Sequence, residues 1–214
     1  MLKIKVKAGS ITNLTDARYF AAREVEWLGF PLGTGEGLIE PIKAKAMAEW
    51  VDGVKIVGEF GFSTPEEIRS VQEYVNLDAV QVGMFASRED LAKLKGLNII
   101  KEIVVDKGFS KTELEDHFGA YADRCSSFLL NMSAGGYSWK DLQNGNPFPP
   151  AFLKSICKKH RIILNLDCPA GETIKMISET EPYALAFSGS GEEKTGFKSF
   201  DKMDELLDCL EIED

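Results

Sequence analysis

The sequence has no long apolar run. Nothing in its 214 residues approaches the ~18 consecutive apolar positions of a membrane span. The opening MLKIKVKAGS has no apolar core of the kind a secretory signal needs and no small-residue cleavage site, so it is not read as a signal peptide. Cysteine is scarce. Cys125, Cys157, Cys168 and Cys209 are the only four, and none are at C-x-x-C spacing, which excludes a zinc ribbon or a thioredoxin-type motif. They are read as free thiols in a reducing compartment, packed in or near a core except for Cys168, whose position after the seventh strand could face a pocket. There are two histidines, His117 within a helical segment and His160 in the basic run Lys158-Lys159-His160-Arg161. Neither follows a strand, and both are expected at the surface. Positive charge is in deficit, with 25 Lys and Arg against 34 Asp and Glu and a net charge of −9. That opposes binding to nucleic acid, which wants a basic face, and to anionic membranes. The expectation is a soluble, cytoplasmic protein with no nucleic-acid or membrane partner, no metal and no cofactor.

What is present is a hydrophobic fraction of 44%, enough for a sizeable core, in a length that suits one domain over 1–214. Short β-branched runs alternate with longer amphipathic ones eight times. The predicted strands are Lys3–Lys7, Trp27–Pro31, Val54–Phe60, Ala79–Gly83, Ile99–Val105, Phe128–Asn131, Ile162–Leu166 and Ala184–Phe187. Several are nearly continuous apolar stretches, as parallel strands covered on both faces require. Helix starts are marked at Asn13, at Thr64 with Pro65 and Glu67, at Ser87 with Asp90, and at Ser110 with Glu113. A last helix is read from Lys198 to Cys209. Asn144 to Pro150 reads as a loop before a short helix, and Glu211–Asp214 as a frayed end. Strict alternation implies a parallel sheet, and eight repeats favour closure. The fold class is α/β, a single (β/α)₈ TIM barrel.

Chemistry in such a barrel sits at the carboxyl ends of the strands. The residues there include Lys7-Ala8-Gly9-Ser10, Gln81-Val82-Gly83, Asn131-Met132-Ser133, Asn165-Leu166-Asp167-Cys168 and Ser188-Gly189-Ser190-Gly191. A small-residue loop after the eighth strand can aim backbone N–H groups at a phosphate. Ser188, Gly189 and Ser190 are therefore candidates for binding a small phosphorylated molecule.

These motifs resemble one family. Lys5 to Ala17, KVKAGSITNLTDA, resembles the K-[IV]-C-G-I-T-N-x-x-D-A opening of phosphoribosylanthranilate isomerase. Leu28-Gly29-Phe30 resembles its L/V-G-F, Ile39-Glu40-Pro41 its I-S-P, and Val57-Gly58-Glu59-Phe60 its V-G-V-F. Leu77 to Gly83, LDAVQVG, resembles L-D-A-V-Q-L-H. Ile100-Lys101 resembles the start of I-K-A in strand five, and Leu129-Leu130-Asn131 resembles L-L-D. Ala184 to Glu192 resembles A-V-D-V-S-S-G-V-E, and Gly196-Phe197-Lys198 the G-x-K before the last helix. Order and spacing hold along nearly the whole chain.

The resemblance implies a (β/α)₈ barrel of tryptophan biosynthesis that isomerises an aminoaldose to an aminoketose, as an intramolecular oxidoreductase. It implies a cysteine base at the end of strand one and an aspartic acid at the end of strand six. Here Gly9 and Asn131 stand in those places. Glycine has no side chain, and an amide cannot serve as a general acid. The family's arginine in the second loop corresponds to Gly37 or Glu36, its histidine after Gln81 to Gly83, and its strand-eight aspartate to Ala186. The glycines of its seventh-strand loop correspond to Leu166 and Asp167.

Three readings follow. In the first, the barrel is divergent, does not work by the Cys/Asp mechanism, and binds a small phosphorylated ligand. In the second, it is an active isomerase using substitute groups such as Asp167. In the third, it is another barrel lyase or aldolase using Lys7 or Lys101 as a Schiff-base amine. The candidate catalytic residues are Asn131, Asp167 and Lys7. The candidate ligand- or phosphate-binding residues are Ser188, Gly189, Ser190, Gln81 and Lys101. The expected assembly is a monomer or homodimer.

Overall fold

A computed structural model of the chain describes residues 1–33, 36–188 and 200–212. Eight parallel strands close into a barrel in sequence order, with β8 pairing β1. They are β1 Lys5–Gly9, β2 Trp27–Pro31, β3 Lys55–Phe60, β4 Ala79–Val82, β5 Ile99–Val104, β6 Ser127–Asn131, β7 Ile162–Asn165 and β8 Ala184–Ser188. The helices among the described residues are α1 Leu14–Ala22, α2 Pro41–Ala48, α3 Pro65–Val75, α4 Arg88–Lys93, α5 Lys111–Tyr121, α6 Trp139–Gln143, α7 Pro150–Cys157, α8 Ala170–Thr180 and α9 Asp201–Leu210.

The period-2 alternation of the strands sorts the core into two layers. Trp27, Val57, Ala79, Ile100, Leu129, Ile163, Ala184 and Ala186 point inward and fill the barrel. The alternate residues, such as Leu28, Phe30, Val80, Ile103, Phe128 and Leu130, join helix residues such as Phe20, Leu114 and Phe118 in the outer layer. The barrel is a packed core that opens only where polar side chains replace the apolar filling.

The helix starts follow the sequence signals. Asn13 Oδ1 accepts from the Asp16 amide, and Thr64, Ser87 and Ser110 each form a reciprocal capping box. The ends of the chain differ from expectation. The first strand begins at Lys5 because Leu2 and Lys3 are engaged elsewhere. Lys3 N donates to Leu210 O at 2.7 Å, and Leu2 forms an antiparallel bridge with Glu211. The same contacts correct the reading of a frayed tail at its first two residues, since Ile212 N reaches Met1 O at 3.0 Å and Glu211 pairs with Arg23 at 3.4 Å, while Glu213 and Asp214 lie outside the described residues. The last helix starts at Asp201, and the predicted start at Lys198 lies outside the described residues. The sixth connection carries two helices, α6 and α7, on either side of the loop.

The histidines are half-buried rather than on the open surface. The His117 ring stacks on Phe109 at 5.6 Å, and the His160 ring on Phe118 at 4.8 Å, where burial pushes its pKa down. Apolar neighbours hold both rings against the outer layer.

Candidate active site

At the carboxyl end of the barrel the inward positions turn polar. Lys7, Glu59, Gln81, Glu102, Asn131 and Asn165 surround a cavity of about 220 Å³, with Gly9, Ser10 and Ser188 also in its wall. Lys7 is 1% exposed, and its ammonium pairs with Glu59 Oε1. The other oxygen of Glu59 accepts from the Ser10 amide at 3.0 Å. Ser10 holds a left-handed φ of 56°, an uncommon conformation for a residue with a side chain, and that turn directs its N–H at the carboxylate.

Two glycines make room for this pair. A Cβ built at Gly9 would lie 2.8 Å from Glu59 Oε1 and 3.2 Å from Lys7 Nζ. A Cβ at Gly29 would overlap Glu59 Oε1 and lie 2.7 Å from Lys7 Nζ. The Glu59 carboxylate therefore lies in the space that a side chain at position 9 would claim.

A second carboxylate stands across the cavity. Asn131 Nδ2 donates to Glu102 Oε1 at 2.7 Å, while Asn131 Oδ1 accepts from the Ala134 amide at 3.1 Å. Gln81 Nε2 reaches Glu102 Oε2 at 3.2 Å. No basic side chain among the described residues forms an ion pair with Glu102. Gln81 is 7% exposed, and its Oε1 has no hydrogen-bond partner.

A larger cavity of about 720 Å³ adjoins this one and shares Asn131, Asn165, Phe187 and Ser188 with it. Asp167 lines this outer cavity and accepts a hydrogen bond from Ser133 Oγ. Cys168 is in the same wall, but burial pushes its thiol up to about 11. The Cys125 and Cys157 thiols are pushed up to about 12, also by burial. None of the three is poised as a nucleophile.

The structure thus brings Lys7, Gln81 and Asn131 together in the inner cavity, and Asp167 and Ser188 into the outer one. Ser188 ends β8 and touches both cavities. Gly189 and Ser190 lie outside the described residues. Lys101 is placed elsewhere, which corrects its reading as a ligand contact. Ile100 and Glu102 take the inward positions of β5, so Lys101 faces the helix layer. There its amine donates to the carbonyls of Gly83, Met84 and Ala86 at 2.8–3.0 Å. Burial lowers its pKa to about 8.

The sequence reading passed over Glu59 and Glu102 as site residues. Their signal was available, because each is a carboxylate at an inward position of an otherwise apolar strand. It also passed over Phe62 and Phe85, exposed on the loops after β3 and β4, whose rings stack at 6.0 Å beside the mouth.

No protein-family profile matches the chain. Among curated proteins, it is 24% identical to an N-(5'-phosphoribosyl)anthranilate isomerase of Clostridium beijerinckii, over 96% of each chain. It is 28% identical to one of Rubrobacter xylanophilus, over 91% of this chain and 93% of that one. Among solved structures, the phosphoribosyl anthranilate isomerase of Thermus thermophilus matches 97% of this chain and 98% of its own, at 26% identity and a TM-score of 0.75. A phosphoribosyl anthranilate isomerase solved with reduced 1-(o-carboxyphenylamino)-1-deoxyribulose 5-phosphate matches the same shares at 22% identity and a TM-score of 0.77. The curated and structural neighbours point consistently to the phosphoribosylanthranilate isomerase family.

Proposed function

We propose that this chain is a phosphoribosylanthranilate isomerase-type barrel that takes a small phosphorylated sugar derivative into the carboxyl-end mouth, and that it does not work through a Cys/Asp pair. The family kinship supports a place in tryptophan biosynthesis. The observation that carries the mechanistic half is the filling of the two catalytic places. The space over Gly9 holds the Glu59 carboxylate, and the amide of Asn131 is committed to Glu102 and to the Ala134 backbone.

The ligand fits the two cavities in a definite sense. The inner one is rich in acceptors and suits the hydroxyl-bearing part of a sugar. The outer one, reached past Ser188 at the end of β8, suits the phosphate, with Ser188 in its wall; Gly189 and Ser190, candidates from the sequence, lie outside the described residues. The Asp167 carboxylate in that wall opposes an anion's binding. Lys7 stays with Glu59, so the ammonium of the inner cavity is already balanced, whereas Lys202 brings positive charge to the wall of the outer one. A Schiff-base route through Lys101 has no support, because that amine faces away from the cavity.

Calorimetric titration with reduced 1-(o-carboxyphenylamino)-1-deoxyribulose 5-phosphate tests the binding reading. Saturable binding in the micromolar range, weakened by inorganic phosphate, is expected. Absence of heat up to millimolar ligand would sink it.

A further inference from the structure

Resting on that reading, we propose that Glu59 and Glu102 form a proton-transfer pair that acts on an open-chain phosphorylated aldose or aldosylamine with a hydroxyl next to its reactive carbon. Three observations converge on these two side chains. First, Glu59 is fixed at the end of β1 by two bonds, one to the Lys7 ammonium and one to the Ser10 amide, and its carboxylate fills the space of a side chain at position 9. Second, Glu102 is held through the amide of Asn131, the residue at the end of β6. An aspartate at 131 would set two carboxylates side by side, whereas the asparagine donates to Glu102, so the asparagine and Glu102 suit each other. Third, both glutamates line one cavity together with Gln81, whose buried Oε1 lacks a partner. A buried acceptor without a partner is unfavourable, and a ligand O–H or N–H donor would satisfy it.

The chemistry balances within the substrate. Glu102, entering the cycle as the carboxylic acid, gives its proton to the oxygen or nitrogen on C1 while Glu59, as the carboxylate, removes the proton on C2. The C2–H electron pair becomes the C1=C2 bond of an enediol or enolamine. Glu102 then takes the proton of the C2 hydroxyl, and Glu59 returns its proton to C1. The product is the ketose isomer, both glutamates regain their starting states, and no oxidant or reductant is consumed. A single general acid or base is worth roughly 10²–10⁴-fold.

The test follows loss of fluorescence of phosphoribosylanthranilate generated in situ, with the full chain, Glu59→Gln, Glu102→Gln and Glu59→Asp. Calorimetry with the reduced analogue and thermal melting accompany each variant. Turnover by the unmodified chain is expected, with kcat reduced about 10²–10⁴-fold in each Gln variant and analogue affinity kept within about threefold. Glu59→Asp, which keeps the charge but shortens its reach, is expected to lose at least about tenfold in kcat with little change in KM. Should Glu59→Gln melt at the assay temperature, Glu102→Gln and Glu59→Asp decide the matter. Binding of the analogue without turnover, or turnover that the folded variants leave unchanged, overturns the proton-transfer pair alone. Failure of the unmodified chain to bind the analogue overturns the ligand reading beneath it as well.

Discussion

Replacing Glu59 with methionine removes the counter-charge of an ammonium that is 1% exposed. The Glu59 side chain is itself only 13% exposed, so solvent screens the pair little. Breaking a buried pair by deleting one partner costs about 3–5 kcal/mol, because the other charge is left without compensation. For a chain of this size each kcal/mol moves the melting temperature by ~2–4 °C, so the expected fall is roughly 6–20 °C. Lys7→Met should cost less, since Glu59 keeps the Ser10 amide at 3.0 Å and some access to water. The double variant Lys7→Met/Glu59→Met replaces the pair by apolar side chains of similar length and should return to within ~2 kcal/mol of the unmodified chain. Urea denaturation of the four proteins gives the coupling energy directly. Single-variant costs that add to the double within ~0.5 kcal/mol would refute the idea that Lys7 and Glu59 are held as one buried unit in the space over Gly9 and Gly29.

Other outcomes follow from the same geometry. Gly9→Cys should destabilise by about 1–3 kcal/mol through crowding of Glu59 Oε1, a cost that shrinks in a Glu59→Ala background; equal cost in both backgrounds, measured by urea midpoints, would contradict it. Gly135→Ala places a Cβ 2.7 Å from the Val105 carbonyl carbon and in overlap with its oxygen, so loss of several kcal/mol or failure to fold is expected, while a thermal midpoint within a degree or two of the unmodified chain argues against that packing. Lys101 gives up its proton at about pH 8 in the folded chain against an ordinary value of 10.5. Unfolding therefore takes up a proton between these values, and stability should rise across that window in the unmodified chain but not in Lys101→Met; parallel pH profiles for the two would refute the buried amine. Iodoacetamide should label native Cys125, Cys157 and Cys168 at pH 7.5 at least about a hundredfold more slowly than free cysteine, and mass spectrometry showing fast labelling would contradict their raised thiol values. Asp167→Asn should change the affinity for the reduced analogue, and an unchanged calorimetric titration would remove Asp167 from the site.

Much of the barrel was legible because its signals are local. Trp27–Pro31 is a strand as read, and the capping boxes at Thr64, Ser87 and Ser110 formed as their spacing demanded. What escaped depends on contacts far apart in sequence. The tail at Glu211 and Ile212 is tied down by Met1, Leu2 and Arg23, some 190 to 210 positions away. Lys101 was assigned to the site by position in a motif, whereas strand parity turns it outward and gives its inward neighbour Glu102 to the cavity. Glu59 was legible as a charge within an apolar strand. Its reach across Gly29 to the space over Gly9 is a property of the closed barrel and of two missing side chains. The sequence showed Gly9 and Asn131 where the resemblance implies a cysteine and an aspartate, but not that the carboxylates of Glu59 and Glu102 stand beside them.

The central claim is tested most directly by a crystal structure of the chain soaked with reduced 1-(o-carboxyphenylamino)-1-deoxyribulose 5-phosphate. The expected result is density at the carboxyl ends of the strands, with a ligand hydroxyl or amine on Gln81 Oε1, its reacting carbons between Glu59 and Glu102, and its phosphate beside Ser188. Ligand bound on another face, or a mouth left empty at saturating analogue, would contradict the account.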